Sequence, residues 1–90
     1  MKRQTRIETH EAQRIAKRLS NHWKHKFEVH EQDHVFQIQM PDAKVTLTAL
    51  ATELQLSIET QREDYAVLEN VVIDHLSRMA QQDYQATWTH

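Results

Sequence analysis

The sequence predicts an α+β fold: a two-layer sandwich with two helices across one face of a curved, mainly antiparallel sheet. Three observations predict it. Two stretches place apolar residues three and four apart, the period of a one-sided helix, and several others alternate apolar with polar, the period of a half-buried strand. The breaks between consecutive alternating stretches are short enough for hairpins, so neighbouring strands should run antiparallel. The expected order is β-α-β-β-β-β-α-β, within one domain over residues 1–90.

Alternation through Thr5, Ile7 and Thr9 marks an opening strand. From Ala12 the period lengthens: Ala12, Ile15, Ala16, Leu19, Trp23 and Lys26/Phe27 define the first helix, with Thr9 as its expected N-cap and Glu11 in its first turn. Four strands follow, carried by Phe27 and Val29, by Phe36, Ile38 and Met40, by Val45, Leu47 and Ala49, and by Leu54, Leu56 and Ile58. They are separated at Glu31–His34, Pro41–Ala43 and Ala51–Glu53. A second helix is expected over Gln61–Ala80, with Tyr65, Leu68, Val72, Leu76 and Met79 on one face, and a last strand through Tyr84, Ala86 and Trp88. The sheet face away from the helices would carry Gln37, Gln39, Thr46, Thr48, Gln55 and Ser57. That face is polar and almost uncharged, fit either for solvent or for a second copy of the chain in a homodimer.

The chain has no glycine, which removes the loops that bring backbone against phosphate and the sharp turn of a serine nucleophile elbow. Any left-handed turn position must fall to Asp33, His34 or Asp42. No cysteine is present either, so disulfides, thiolate metal sites and thiol catalysis are excluded, and a metal would have to be held by His, Asp or Glu. Without an apolar N-terminal core or a long apolar run, and with a mean hydropathy of -0.78, the chain reads as a cytoplasmic protein with no membrane partner.

Charge is uneven along the chain. Residues 1–26 hold eight Lys and Arg against two Glu, and the remainder holds three against eleven Asp and Glu. This pattern fits either an anion-binding first helix or a basic helix compensated by carboxylates elsewhere. The overall charge of -2, and aromatic residues that all sit in core phase, argue against nucleic acid.

Of seven histidines, three stand out. His22 lies at the edge of the stripe formed by Ile15, Leu19 and Trp23, and His25, three residues on, about 60° further round. His75 lies at the edge of the second helix's stripe. Side-by-side helices would let His22, His25 and His75 converge, and those three are the candidate metal ligands, though no cofactor is specified. Arg14 and Arg18 fall on the same flank as His25, and guanidinium groups there repel a bare divalent cation and suit an anion instead. Partly buried histidines that only cap the core edge are the alternative reading.

The run His22-Trp23-Lys24-His25-Lys26-Phe27, and later Val71-Val72-Ile73-Asp74-His75-Leu76-Ser77-Arg78-Met79-Ala80 with Trp88 near the end, resembles bacterial domain-of-unknown-function family 2218. The likeness spans nearly the whole chain and picks out His22, His25, Lys26 and His75. Relatives occur beside siderophore-interacting ferric reductases, so the resemblance implies an accessory role in iron handling. Members usually carry glycines around the stretch that is Asp33–Met40 here, and this chain lacks them. The reading is therefore a non-enzymatic binding or accessory module, with His22, His25, Lys26, His75, Arg14 and Arg18 contacting an anionic or iron-bearing small molecule. A nucleic-acid or protein-interaction module using the basic first helix, and a structural homodimerising domain, are the alternatives. An enzyme using His22 or His75 as acid or base would lack a nucleophile and a cofactor motif.

Overall fold

The computed structural model describes residues 1–90. In chain order its elements are β1 (Lys2–Glu8), α1 (Ala12–Trp23), β2 (Glu28–Gln32), β3 (Val35–Met40), β4 (Ala43–Ala49), β5 (Glu53–Thr60) and α2 (Tyr65–Ala80). The strands form one sheet in the order β1-β5-β4-β3-β2, antiparallel throughout. The last four strands are a meander. β1 joins its far side against β5, so α1 must carry the chain over the whole sheet from one edge to the other.

Register turns the alternation into two faces. Val29, Ile38, Val45 and Ile58 lie in one cross-strand row, and Phe36, Leu47 and Leu56 in the next. These side chains are buried except Val29, and they pack under Ile15, Ala16, Leu19 and Trp23 of α1 and Leu68, Val72 and Leu76 of α2. The opposite face carries Gln37, Gln39, Thr46, Thr48, Gln55 and Ser57, none of them buried. Arg18 Nη1 donates to the Met79 carbonyl at 3.2 Å and the His22 and His75 rings are neighbours, so α1 and α2 run antiparallel. No helix is long and apolar enough to cross a membrane.

At β1 the core rows end on polar residues, because Arg3 lies opposite Ile58 and Thr5 opposite Leu56. Arg3 solves this by lying flat. Its guanidinium stacks 4.7 Å from the Tyr65 ring centroid, and Nε donates to Glu69 Oε2 at 2.7 Å, with both side chains at least 86% buried (14% and 10% exposed). An ion pair so deep is held by its geometry, and removing one partner strands the other.

The compensated reading of the charge pattern describes half of the N-terminal cations. Arg3 pairs with Glu69, Arg6 with Glu53, Arg14 with Glu11 and Lys17 with Glu31. All but Arg14 reach across to another element. Lys2, Arg18, Lys24 and Lys26 have no carboxylate partner.

Three boundaries differ from the sequence reading. The expected last strand is a single bridge, with Gln4 and Thr89 exchanging two backbone hydrogen bonds of 2.8 Å. Its alternation is nonetheless real: Tyr84 and Trp88 pack against the core margin without building a ladder. α1 stops at Trp23, and the turn after it returns the Lys26 and Phe27 amides to the Trp23 carbonyl. At its start Glu11 occupies the N-cap position, and Thr9 Oγ1 instead accepts the Glu11 amide at 3.1 Å. α2 begins at Tyr65 rather than Gln61, because β5 runs to Thr60, whose hydroxyl donates to the Asp42 carbonyl and accepts the Arg62 amide.

The β2–β3 turn uses Asp33 and His34, at φ of 50° and 67°, and a third left-handed residue, Gln81 at 57°, ends α2. Two positive φ values at the centre of a two-residue hairpin are the geometry that favours Asn-Gly. His34→Gly should therefore raise stability by about 0.5–1 kcal/mol, as relief of the left-handed backbone strain outweighs the added freedom of the unfolded chain and the loss of the exposed His34 Nδ1 hydrogen bond to Gln13 Oε1. In thermal unfolding this is a rise of roughly 2–8 °C. Arg3→Met should cost roughly 2–4 kcal/mol by leaving Glu69 buried and unpaired, and Arg3→Met/Glu69→Leu should recover most of it. Denaturant titration of the three proteins checks this, an equal loss in single and double variants being the contrary result.

Candidate functional site

A pocket of about 440 Å³ opens where α1 ends. The chain leaves the helix at Trp23 and must drop to the sheet to begin β2. The β3–β4 turn, Pro41 and Asp42, comes up at the same end, and the middle of α2, from Leu68 to His75, closes the third side. Trp23, Phe27, Met40, Pro41, Ala43, Leu68 and Val71 form apolar walls, and His22, Lys26, Arg62, Asp42 and His75 supply the polar groups. Phe27 meets Trp23 edge-on, with centroids 6.4 Å apart, which props the wall beneath Lys26.

The two helices bring His22 and His75 together, their ring centroids 5.6 Å apart and tilted by 44°. His75 is half-buried, with Trp23 on its other side at 5.4 Å. Its Nδ1 lies 2.8 Å from the Val71 carbonyl, one turn back on the helix. A carbonyl can only accept, so Nδ1 carries the proton and, in the neutral ring, Nε2 presents a lone pair.

The cations around the pocket differ in availability. Arg62 is committed: its Nε and Nη2 hold both oxygens of Asp64 at 2.8 and 2.6 Å, and Nη1 is 3.8 Å from Asp42. That bidentate hydrogen bond holds the Asp64 carboxyl below the usual range and the Arg62 guanidinium above its ordinary value. Lys26 has no carboxylate partner, and its Nζ lies 5.7 Å from the Phe27 ring centroid.

Of the residues singled out in the sequence, His22, Lys26 and His75 line this pocket, while His25, Arg14 and Arg18 do not. His25 falls outside because α1 ends two residues before it, so the shared helical face expected of His22 and His25 does not extend that far. Arg14 is paired with Glu11 at 2.7 Å near the start of α1, and Arg18, at its middle, with a carbonyl at the end of α2. No three His, Asp or Glu side chains come together closely enough to hold a metal ion, so the expected convergence of three histidines is reduced to two. Pro41 and Arg62 carry no site signal in the sequence, and Trp23 and Val71 stand there only as a core residue and as part of a family-like run. Their role depends on a turn and a helix start meeting at one end of the fold, which periodicity does not show.

A wider groove of about 830 Å³ runs along the open sheet face beside the C-terminal segment, lined by Gln4, Arg6, Thr46, Gln55 and Thr87 among others. It gathers no histidine, and Arg6 there is already paired with Glu53.

The bacterial family described as "Uncharacterized protein conserved in bacteria (DUF2218)" matches residues 4–89. No curated protein matches the chain. Among solved structures it is similar to one described as "NMR structure of PA4090 from Pseudomonas aeruginosa", with a TM-score of 0.82 and 32% identity, covering 98% of this chain and 94% of that one. Both signature runs, at the end of α1 and along α2, lie inside the matched residues, and the chain belongs to the DUF2218 family.

Proposed function

We propose that this protein is a binding module for a small anionic molecule with an apolar body, seated between the end of α1, the β3–β4 turn and the middle of α2. The observation that carries the reading is an apolar-walled pocket with one uncommitted ammonium, Lys26, and two imidazoles at its rim. Mostly apolar walls with a few convergent polar groups are the general character of small-molecule sites. Arg62, already neutralised by Asp64 and Asp42, fixes the shape of the rim rather than adding free charge. An anion entering here meets Lys26 without displacing a carboxylate. Iron-bearing chelates belong to the same ligand class, and the family resemblance is what brings iron into it.

The test uses 8-anilinonaphthalene-1-sulfonate, an aromatic anion whose fluorescence rises in apolar sites, and ferric tris-catecholate as the iron-bearing anion. At ten times its Kd either should stabilise the protein by about 1.4 kcal/mol, a melting shift of roughly 5–10 °C. Lys26→Glu, by reversing the charge, and Val71→Phe, by filling the pocket, should each weaken the sulfonate at least tenfold. Arg14→Glu, at the far end of α1, should leave it unchanged. Equal binding in Lys26→Glu and wild type, or a loss in Arg14→Glu alone, would overturn the site and favour the basic helix as an interaction surface.

A further inference from the structure

We propose that His22 and His75 together ligate a borderline divalent metal ion, such as Cu²⁺, Ni²⁺ or Zn²⁺, that arrives already bound to an anionic chelating molecule. The proposal deepens the reading of the pocket as an anion site and rests on it for the charge of the chelator.

Ring spacing is the first ground. Metal–imidazole bonds of about 2.0–2.1 Å, with a ring centroid roughly 1.1 Å behind each nitrogen, put two rings about 4.5 Å apart on adjacent octahedral positions, about 5.2 Å apart on a tetrahedral ion and up to about 6 Å apart at wider angles. The observed separation is 5.6 Å, with the rings tilted rather than stacked. The second ground is the tautomer of His75. Its Nδ1–H is held by the Val71 carbonyl, which leaves Nε2 as the free donor. Ligand histidines are held in the same way, the far N–H fixed by a carbonyl or carboxylate so that the ring is oriented before the metal arrives.

The third ground is electrostatic. Guanidinium groups beside the pair repel a bare cation: Arg14 is neutralised by Glu11, whereas Arg18, one turn before His22, bonds only the Met79 carbonyl and keeps its charge, which favours a metal that arrives with negative donors. Arg62 is balanced by two carboxylates. Only Lys26 remains uncompensated at the pocket, and it would face the negative donors of a chelator rather than a bare ion.

No third protein ligand is at hand, so the protein contributes two of at least four coordination positions and other donors must fill the rest. A pair of neutral nitrogens suits Cu²⁺, Ni²⁺ and Zn²⁺ better than it suits hard ions that demand oxygen. The site therefore selects complexes with two adjacent open positions. It would discriminate against chelates whose coordination sphere is already full.

The decisive probe is Ni²⁺–nitrilotriacetate, an anionic complex with two adjacent open positions, titrated into the protein without a histidine tag. Because Trp23 packs against His75, bound Ni²⁺ should quench its fluorescence at one equivalent. His22→Gln and His75→Gln should each weaken that binding at least tenfold, and Ni²⁺–EDTA, with no open position, should not quench. His22 is exposed, so its replacement leaves the core intact. Equal quenching in the variants and wild type, or by both complexes, would overturn the proposal. Sulfonate binding that survives in His22→Gln while metal binding is lost separates this proposal from the pocket reading. Sulfonate binding that is unchanged in Lys26→Glu, while metal binding is lost in His22→Gln and His75→Gln, would remove the anion reading and leave the two-histidine site.

Discussion

A five-stranded sheet with one apolar face needs cover across its whole width, and this chain has two helices to provide it. Because β1 and β2 occupy opposite edges, α1 is fixed as the diagonal that joins them, and α2 takes the space left beside it. Neither helix reaches every corner. At the β1 edge the shortfall is met by Arg3, whose long stem and flat head cover the sheet margin under Tyr65 and Glu69. Where α1 ends, no such side chain fills the gap, and the pocket beside Trp23 is what remains. The candidate site is thus a consequence of the same coverage problem that builds the core.

Much of this architecture was legible because strand and helix periods differ so plainly. The core-facing residues of β3, β4 and β5, and the stripe of α1, are buried as the alternation predicts, except Met40, which is half-buried at the end of β3. Strand order was not legible, since β1 reads as an ordinary amphipathic strand and nothing local says that it pairs with β5. The end of α1 was misread because Phe27 continues the helical period by position while packing on Trp23 from beyond the helix. That misreading carried His25 into the site. His22 and His75 were legible because each sits at the margin of a stripe, where a side chain touches both core and solvent. Arg14 and Arg18 share that margin, and only the positions of their partners, Glu11 and the Met79 carbonyl, separate them from the pocket.

Absence of glycine limits how any ligand is held here. The backbone cannot approach a bound group as closely as a glycine loop allows, and the left-handed positions are taken by Asp33, His34 and Gln81, none of which lines the pocket. Recognition falls to side chains. The fold supplies imidazoles, one ammonium and apolar walls, a set that favours charge and shape over a dense lattice of directional hydrogen bonds. The wider groove on the open sheet face has the opposite character, amides and hydroxyls with few apolar walls.

The contacts at β1 join parts of the chain that are far apart: Arg3 and Glu69 are separated by 66 residues, Thr5 and Thr87 by 82. The meander from β2 to β5, by contrast, is built from adjacent hairpins. Closing the long loops costs chain entropy that short hairpins avoid, so the meander can organise before either end of the chain is in place. β1 and the C-terminal segment then act as a clasp that joins the two ends across one sheet edge. A chain assembled in this order keeps its most distant contacts for last, and a fault in the clasp would leave a folded meander with an unprotected edge available to other strands.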